Sequence, residues 1–313
     1  LQQLRHGLPA FPPPQQRPKA DAVIRTALAA NKPVIMALTG DEAPLDPEFL
    51  AAMRESETPL FRSPERAIRA FAAVNRYAAA LGNVDDRSPA AEGLSAWQEV
   101  GIKPEYLGKQ LLREIGIAVP KGGLAQTAAD ALTIAQRIGF PVVLKAQAVA
   151  LSHKSDVGGV ILNLRDKTEL CAGWKSLMTN IGNAPIDGVL VEQMSVPGLE
   201  MIVGARYHPL WGASVLVGLG GIFTEALEAT VLLPADISHA RAVARIRSLR
   251  GAKLLGAFRG QPARDVDAVA DVVVKVGGAM RAGIGIEEID INPLMVLAEG
   301  QGAIALDALI VTR

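Results

Sequence analysis

The chain has 313 residues, half of them hydrophobic and 20% charged, which allows buried cores in about two domains and excludes global disorder. Thirty-two basic residues balance 32 acidic residues, and the net charge of zero excludes an electrostatic field that favours nucleic acid or a membrane surface. The sequence has no apolar run of membrane-spanning length, no signal-peptide pattern and only one cysteine, which excludes a disulfide framework, so we expect a cytoplasmic protein.

Residues 1–82 are predicted to alternate helices and strands. Helices are expected at 19–30, at 47–54 and from Ser63-Pro64 to Gly82, and strands at 34–38 and 59–61. Apolar strands that alternate with helices are typical of a parallel α/β sheet. Because the segment is short for such a domain, we expect it to be the C-terminal part of one. Residues 83–103 have the Asn, Asp, Ser, Pro and Gly content of a linker.

Residues 104–313 are predicted to form a second domain, of the α+β type with mixed sheets. Helices are expected at 106–115, 127–138, 166–181, 237–249 and 265–282. Strands are expected at 141–144, 159–164, 188–192, 199–206, 211–217, 286–297 and 302–311. The period-two alternation over 199–206 predicts a half-covered antiparallel strand.

The first candidate site lies after the strand that ends at Lys145. A lysine at the end of a buried strand either reaches solvent or meets an anion. The loop that follows ends in Gly158-Gly159, and a glycine pair lets backbone N–H groups approach a phosphate. Within the loop, His153 near Asp156 can act as a base or accept a phosphoryl group. A solvated turn in which Asp156 caps backbone groups explains the same residues equally well.

A second candidate site follows the strand that ends at Glu192. A carboxylate there can accept a hydrogen bond from an adenine amino group, and Glu200 on the next strand can hold ribose hydroxyls. A solvent-facing position on an alternating strand is the common alternative for Glu200.

Two further motifs can bind phosphates or a metal. Asn292 and Asp307 lie on predicted adjacent antiparallel strands, and their oxygens suit Mg²⁺ with bound phosphates, although a turn Asn and an edge Asp are equally consistent. The stretch Gly218-Leu219-Gly220-Gly221 is no dinucleotide fingerprint, because Phe223 stands where the third glycine belongs. It is either a backbone nest for phosphate or a plain tight turn.

In this order, the motifs resemble the ATP-grasp domain of the ADP-forming acyl-CoA synthetases, relatives of succinyl-CoA synthetase. The resemblance covers residues 104–313 and depends most on the His153-Lys154-Ser155-Asp156-x-Gly158-Gly159 loop and on Asp290-Ile291-Asn292-Pro293-Leu294. Residues 18–82 resemble the C-terminal part of the flavodoxin-like CoA-ligase domain, most clearly at Arg62-Ser63-Pro64-Glu65-Arg66-Ala67. The implied fold class is α/β: a partial flavodoxin-like parallel α/β domain, followed by an ATP-grasp α+β domain.

The resemblance also implies an activity, that of an acid–thiol ligase which uses ATP, Mg²⁺ and coenzyme A to activate a small carboxylic acid. It implies a role for each candidate residue: Lys145 with Gly158, Gly159, Gly220 and Gly221 for the ATP phosphates, Glu192 and Met194 for the adenine hinge, Glu200 for the ribose, Asn292 and Asp307 for Mg²⁺. His153, beside Asp156, corresponds to a histidine that relays the phosphoryl group between ATP and the CoA-binding half, where an acyl phosphate and then acyl-CoA form.

We recognise no CoA-binding Rossmann domain in the sequence, and we expect Leu1 to lie partway through a domain. We therefore expect the other half on the same polypeptide or on a separate subunit, no acyl-CoA synthesis without it, and assembly into an oligomer. One alternative is a regulatory module of the kind found in fused protein acetyltransferases, but the intact nucleotide motifs favour retained chemistry. Another is an ATP-grasp carboxylate–amine ligase, which the His153 loop and residues 18–82 argue against.

Overall fold

The computed structural model describes residues 22, 25, 29, 34–38, 45, 47–81, 86–96, 99–148, 158–221, 229–257 and 260–313. The chain divides into two compact units, Leu1–Asp85 and Asp86–Arg313. Most of the helix predicted over 19–30 lies outside the described residues. Within the described ranges, none of the helices combines the length and apolar character that crossing a membrane requires.

The first unit contains a pair of parallel strands, β1 (Met36–Ala37) and β2 (Leu60–Phe61). Parallel strands need a crossover, which helix α1 (Pro47–Glu55) supplies. Phe49 and Met53 lie one turn apart on α1 and are buried against residues of the two strands. Helix α2 (Pro64–Leu81) then follows. The predicted parallel α/β arrangement is confirmed.

The second unit contains a large antiparallel sheet with strand order β10-β9-β8-β11-β13-β3, with β12 also paired to β11. These strands are β3 (Gly101–Lys103), β8 (Leu199–His208), β9 (Gly212–Leu219), β10 (Thr230–Pro234), β11 (Ile286–Val296), β12 (Ala303–Ala305) and β13 (Leu309–Thr312). Two helices cover one face, α6 (His239–Arg247) and α7 (Val266–Arg281). Val269, Val273 and Val276 of α7 join the sheet in one buried core.

A smaller antiparallel sheet has the order β4-β7-β5-β6. Its strands are β4 (Gly122–Ala125), β5 (Val142–Gln147), β6 (Val160–Leu164) and β7 (Gly188–Gln193). Helices α4 (Ala128–Ile138) and α5 (Lys167–Ile181) cover one face, where Val142, Leu144 and Ala146 join their apolar core. Because side chains alternate along a strand, Lys145 and Gln147 of β5 project from the opposite face.

Helix α3 (Glu105–Glu114) connects β3 of the large sheet with β4 of the small one. Gly108 allows a close approach to the large sheet, since a Cβ there would lie 3.2 Å from the carbonyl oxygen of Ala308. Leu111 and Leu112 are buried in the large core on the same side. Tyr106 and Lys109 of α3 contact the small sheet, at Gln147 of β5 and Glu192 of β7.

The structure differs from the predicted elements in three places. The single strand predicted over 302–311 is two strands, β12 and β13, separated at Leu306–Ala308. Strands β4 and β10 were missed, because the Gly-Gly-Leu-Ala sequence of β4 has weak strand propensity and its pairing with β7 decides its conformation. Strand β3 lies within the range predicted as a linker and pairs with β13.

Candidate functional site

The side chain of Lys145 lies between the two sheets of the second unit. Its Nζ is 2.7 Å from Oε1 of Glu105 on α3 and 3.1 Å from Oε2 of Glu192 on β7. It also donates a hydrogen bond of 2.5 Å to the carbonyl oxygen of Leu306, in the break between β12 and β13. The side chain is 12% exposed.

Lys109 lies one helical turn beyond Glu105 and is more deeply buried, with its side chain 1% exposed. Its Nζ lies 2.7 and 2.6 Å from Oε1 and Oε2 of Glu192. It also lies 2.8 Å from Oε1 of Glu105 and donates a 2.8 Å hydrogen bond to the carbonyl oxygen of Leu306. Lys109 and Lys145 therefore share the same three acceptor groups.

The four charged side chains balance one another. Two lysines face two glutamates, so the cluster is neutral as a whole, which lowers the large cost of burying each charge. Gln147 adds a hydrogen bond of 3.3 Å from its Nε2 to Oε2 of Glu105. Burial lowers the pKa of Lys145, but the charges of Glu105, Glu192 and Asp307 outweigh burial and hold the pKa above its usual value. Lys145 is therefore a cation at neutral pH and suited to an anionic ligand.

Sequence reasoning missed Glu105 and Lys109. A signal was present, because both share one face of α3 with the fully buried Leu112, at spacings of four and three residues. A Glu–Lys pair on the buried face of a helix needs further buried partners. Their identity follows only from the fold, since Glu192 is 83 residues and Leu306 197 residues from Lys109.

Glu192 was predicted to meet an adenine amino group, and its carboxylate instead contacts Lys109 and Lys145. The side chain is fully buried. After it, the backbone N–H of Gln193 donates to the carbonyl of Lys121 at 2.9 Å, and that of Met194 donates to the carbonyl of Pro141 at 3.0 Å. The end of β7 is therefore held in place on both sides.

Asn292 and Asp307 flank a backbone contact between β11 and the segment that follows β12. The pairing of β11 with β8 shifts between Ile291 and Leu294. The N–H of Leu306 donates to the carbonyl of Pro293 at 3.0 Å, which places Asp307 directly after the contact. Asn292 is exposed, and Asp307 is half-buried.

These residues fit a hard divalent cation. Burial, followed by the charges of Glu288 and Asp307, raises the pKa of the neighbouring Asp290, so that carboxyl group holds its proton more readily than an exposed aspartate does. Carboxylate and amide oxygens are the ligands that Mg²⁺ prefers, and it usually keeps several waters and takes few protein ligands. The described residues contain no group of three or more His, Cys, Asp or Glu side chains arranged to hold a metal.

Glu200 lies against the glycine turn that follows β9. Its carbonyl accepts a 2.8 Å hydrogen bond from the N–H of Gly220. Gly221 has φ +58°, and a Cβ there would lie 2.9 Å from Oε2 of Glu200. The exposed carboxylate of Glu200 therefore occupies space that a larger residue at 221 would take, and the two predicted motifs lie next to each other.

The glycine pair Gly158-Gly159 lies beside Lys145. The carbonyl of Gly159 accepts a 2.8 Å hydrogen bond from the N–H of Ala146, and Lys145 pairs with Val160. Gly158 has a left-handed φ of +65° that favours glycine. His153 and Asp156, predicted to act in phosphoryl transfer, lie outside the described residues.

Comparison with known proteins shows a consistent set of relatives. Residues 98–312 match a family model described as an ATP-grasp domain. A trans-feruloyl-CoA synthase from an unknown prokaryotic organism is 39% identical over 90% of this chain, and the chain spans only 40% of that relative. The β subunit of an ADP-forming acetate–CoA ligase of Pyrococcus furiosus is 35% identical over 67% of this chain and 91% of the subunit.

Solved structures show the same similarity. The dinucleotide-forming acetyl-coenzyme A synthetase 1 of Ca. Korarchaeum cryptofilum, in complex with coenzyme A and Ca-AMPCP, aligns with a TM-score of 0.65 and 34% identity. The alignment covers 68% of this chain and 94% of that chain. A structure of the same enzyme with coenzyme A and Mg-AMPPCP has its phosphohistidine segment pointing towards the nucleotide-binding site. That structure aligns with a TM-score of 0.59 and 33% identity, over 67% of this chain and 92% of that chain.

Proposed function

Because this chain belongs to the ATP-grasp family of the ADP-forming acyl-CoA synthetases, we propose that it is the nucleotide-binding part of an acid–CoA ligase (ADP-forming). In this proposal it binds ATP with Mg²⁺ and passes the γ-phosphoryl group through His153 towards an acyl phosphate. The acyl phosphate then reacts with coenzyme A on the CoA-binding half, which is part of the same polypeptide or a separate subunit.

One observation carries the proposal: Lys145 lies where the predicted hinge strand and the predicted magnesium loop meet. It contacts Glu192 at the end of β7 and the carbonyl of Leu306, one residue before Asp307. A phosphate is a stronger acceptor than a carbonyl oxygen and can replace Leu306 as the partner of Lys145. The raised pKa of Lys145 supports the same role, because the lysine stays charged when it meets the anion.

The remaining residues bind and orient the nucleotide. We assign the ribose hydroxyls to Glu200, the adenine to the chain at Glu192–Met194, and the phosphates to backbone N–H groups of the two glycine pairs. Asn292 and Asp307 hold Mg²⁺, which when bound neutralises part of the phosphate charge. The exposed position of Glu200 beside Gly220 and Gly221 supports its assignment.

In the transfer step, an imidazole nitrogen of His153 attacks the γ-phosphorus of ATP. A P–N bond forms as the bond between the γ-phosphorus and the bridging oxygen breaks, and ADP leaves with the electron pair. We assign to Asp156 the stabilisation of the positive charge that develops on the imidazole. A carboxylate oxygen of the acid later takes the phosphoryl group, and the thiolate of coenzyme A displaces phosphate from the acyl phosphate.

The experiment is to incubate the chain with γ-labelled ATP and Mg²⁺. We expect a phosphoprotein that is labile to acid and stable to base. His153→Ala should abolish the label, whereas the control His239→Ala, which changes an exposed histidine near Asp267 and Asp271, should retain it. Normal ATP binding without any label on His153 would remove the relay from the mechanism, and failure to bind ATP at all would contradict the whole proposal.

The ligase activity is tested on a complex with the CoA-binding half. We expect a panel of carboxylic acids, supplied with ATP and coenzyme A, to yield acyl-CoA together with ADP. Formation of AMP instead of ADP would contradict the phosphohistidine route, because that route transfers only the terminal phosphoryl group. The oligomer predicted from the sequence is checked by light scattering on the same sample.

A further inference from the structure

We propose that Lys109 is a positioning residue that couples nucleotide binding at the end of β7 to magnesium binding at the loop between β12 and β13. The inference rests on the proposed function and extends it to a buried residue that does not itself contact the nucleotide. Lys109 is buried and has its own partners, so it acts through them and not on the substrate.

The geometry of Lys109 joins parts of the chain that lie on different sheets. A lysine ammonium group has three hydrogen-bond donors. Those of Lys109 face Glu192 on β7 at 2.6 Å, Glu105 on its own helix at 2.8 Å, and the carbonyl of Leu306 at 2.8 Å. A shift of either sheet relative to the other must lengthen at least one of these contacts.

Leu306 transmits the position of Lys109 to the magnesium ligands. Its carbonyl is held by Lys109, while its N–H donates to the carbonyl of Pro293 at 3.0 Å. Asn292 directly precedes Pro293, and Asp307 directly follows Leu306. Leu306, which links Lys109 to the magnesium ligands, therefore forms hydrogen bonds through both its carbonyl and its N–H group.

Charge balance makes Lys109 most important when the nucleotide is bound. In the described structure Glu105 and Glu192 are neutralised by two lysines. Once Lys145 turns to the phosphates, Lys109 still contacts both buried carboxylates. Buried carboxylates that lose their cation are costly, so Lys109 holds the hinge strand and the loop in place while Lys145 binds the ligand.

The test measures the dissociation constant of the non-hydrolysable analogue AMPPCP with and without Mg²⁺, on the complete 313-residue chain. Lys109→Met is compared with the control Lys275→Met, which removes a lysine that donates to the carbonyl of Gly116 at 2.8 Å. We expect the factor by which Mg²⁺ tightens AMPPCP binding to fall by about tenfold in Lys109→Met and to remain unchanged in the control. An unchanged factor in Lys109→Met would overturn the inference.

A second variant keeps the test decisive if Lys109→Met folds poorly. Lys109→Met combined with Glu105→Gln removes one positive and one negative charge, so the cluster stays neutral. We expect this double variant to recover stability but not the coupling, because the contact from β7 to Leu306 is still missing. Recovery of the coupling would show that charge alone is responsible and would overturn the positioning role. Wild-type chain that fails to bind AMPPCP would defeat the proposed function instead, so the two failures are distinguishable.

Discussion

The ammonium group of Lys145 lies 2.7 Å from Oε1 of Glu105, which begins helix α3 40 residues earlier in the chain. The contact joins a strand of the small sheet to a helix that packs on the large sheet. The side chain of Glu105 is 1% exposed and that of Lys145 is 12% exposed, so both charges of the pair are largely removed from solvent. The pair therefore holds the positive charge of Lys145 at the junction of the two sheets.

Replacing Lys145 by Met should weaken AMPPCP binding by about 100-fold, because the loss of a charged partner in a desolvated site costs several kcal/mol. Isothermal titration calorimetry measures the change. The matched control is Lys175→Met, which removes an exposed lysine from α5 and should leave the affinity unaltered. If Lys145→Met binds the analogue within threefold of the wild-type affinity, about 0.7 kcal/mol, Lys145 does not contact the phosphates.

Asp290→Asn should stabilise the second unit at neutral pH. Burial raises the pKa of Asp290, and the charges of Glu288 and Asp307 raise it further. A carboxyl group with a raised pKa in the folded state contributes stability that is fully present below its unfolded pKa and is lost as the pH rises through the folded pKa. The neutral Asn avoids this loss, so we expect a Tm about 2–4 °C above wild type at pH 7.

The same reasoning predicts the pH dependence of that gain. The difference in Tm should shrink as the pH falls through the raised pKa of Asp290 and should vanish below the ordinary aspartate value of about 4, because Asp290 is then protonated in both states. Glu299→Gln, at an exposed carboxylate, is the control and should show little difference at either pH. A gain in Tm that stays constant from pH 7 to 4 would mean that charge repulsion is not its source.

Gly221→Ala should reduce nucleotide affinity without an unusual loss of stability. Its φ of +58° and that of Gly212, +74°, are both left-handed, so an alanine at either position costs about 1–2 kcal/mol. Only at Gly221 does the added Cβ meet a side chain, Oε2 of Glu200 at 2.9 Å, whereas it meets nothing within 4 Å at Gly212.

We therefore expect similar decreases in Tm for Gly221→Ala and Gly212→Ala but about tenfold weaker AMPPCP binding only for the former, the cost of one displaced charged hydrogen bond. An analogue without the ribose hydroxyls should show no such difference between the two variants. Equal loss of AMPPCP affinity in both variants would argue against the ribose role of Glu200.

Much of the second unit could be predicted from local sequence signals. Thr127 caps the start of helix α4: its hydroxyl accepts a hydrogen bond from the N–H of Asp130, and the Asp130 carboxylate accepts one from the N–H of Thr127. Gly139 caps the end of the same helix. Asp166 caps α5 in the same manner, with a hydrogen bond from the N–H of Glu169. These signals act over three or four residues, so the sequence alone is sufficient to read them.

The candidate site could be predicted in its residue types but not in its contacts. Lys145 and Glu192 were found as charged residues at predicted strand ends, and Asn292 and Asp307 as polar residues on predicted adjacent strands. That Glu192 faces two lysines, and that the strand predicted over 302–311 breaks at Leu306, followed only from the structure. At the break, the N–H of Leu306 donates a hydrogen bond to the carbonyl of Pro293, and the carbonyl of Leu306 accepts hydrogen bonds from Lys109 and Lys145.

The sequence by itself determined the helices, most strands, and the order of the polar motifs, because capping, propensity and alternation depend on near neighbours. Tertiary structure decided that Lys109 and Glu105 are buried and which groups neutralise them. A buried charge is stable only among partners that the fold brings from distant positions, here up to 197 residues apart. Neither the number nor the identity of those partners is encoded near the residue that needs them.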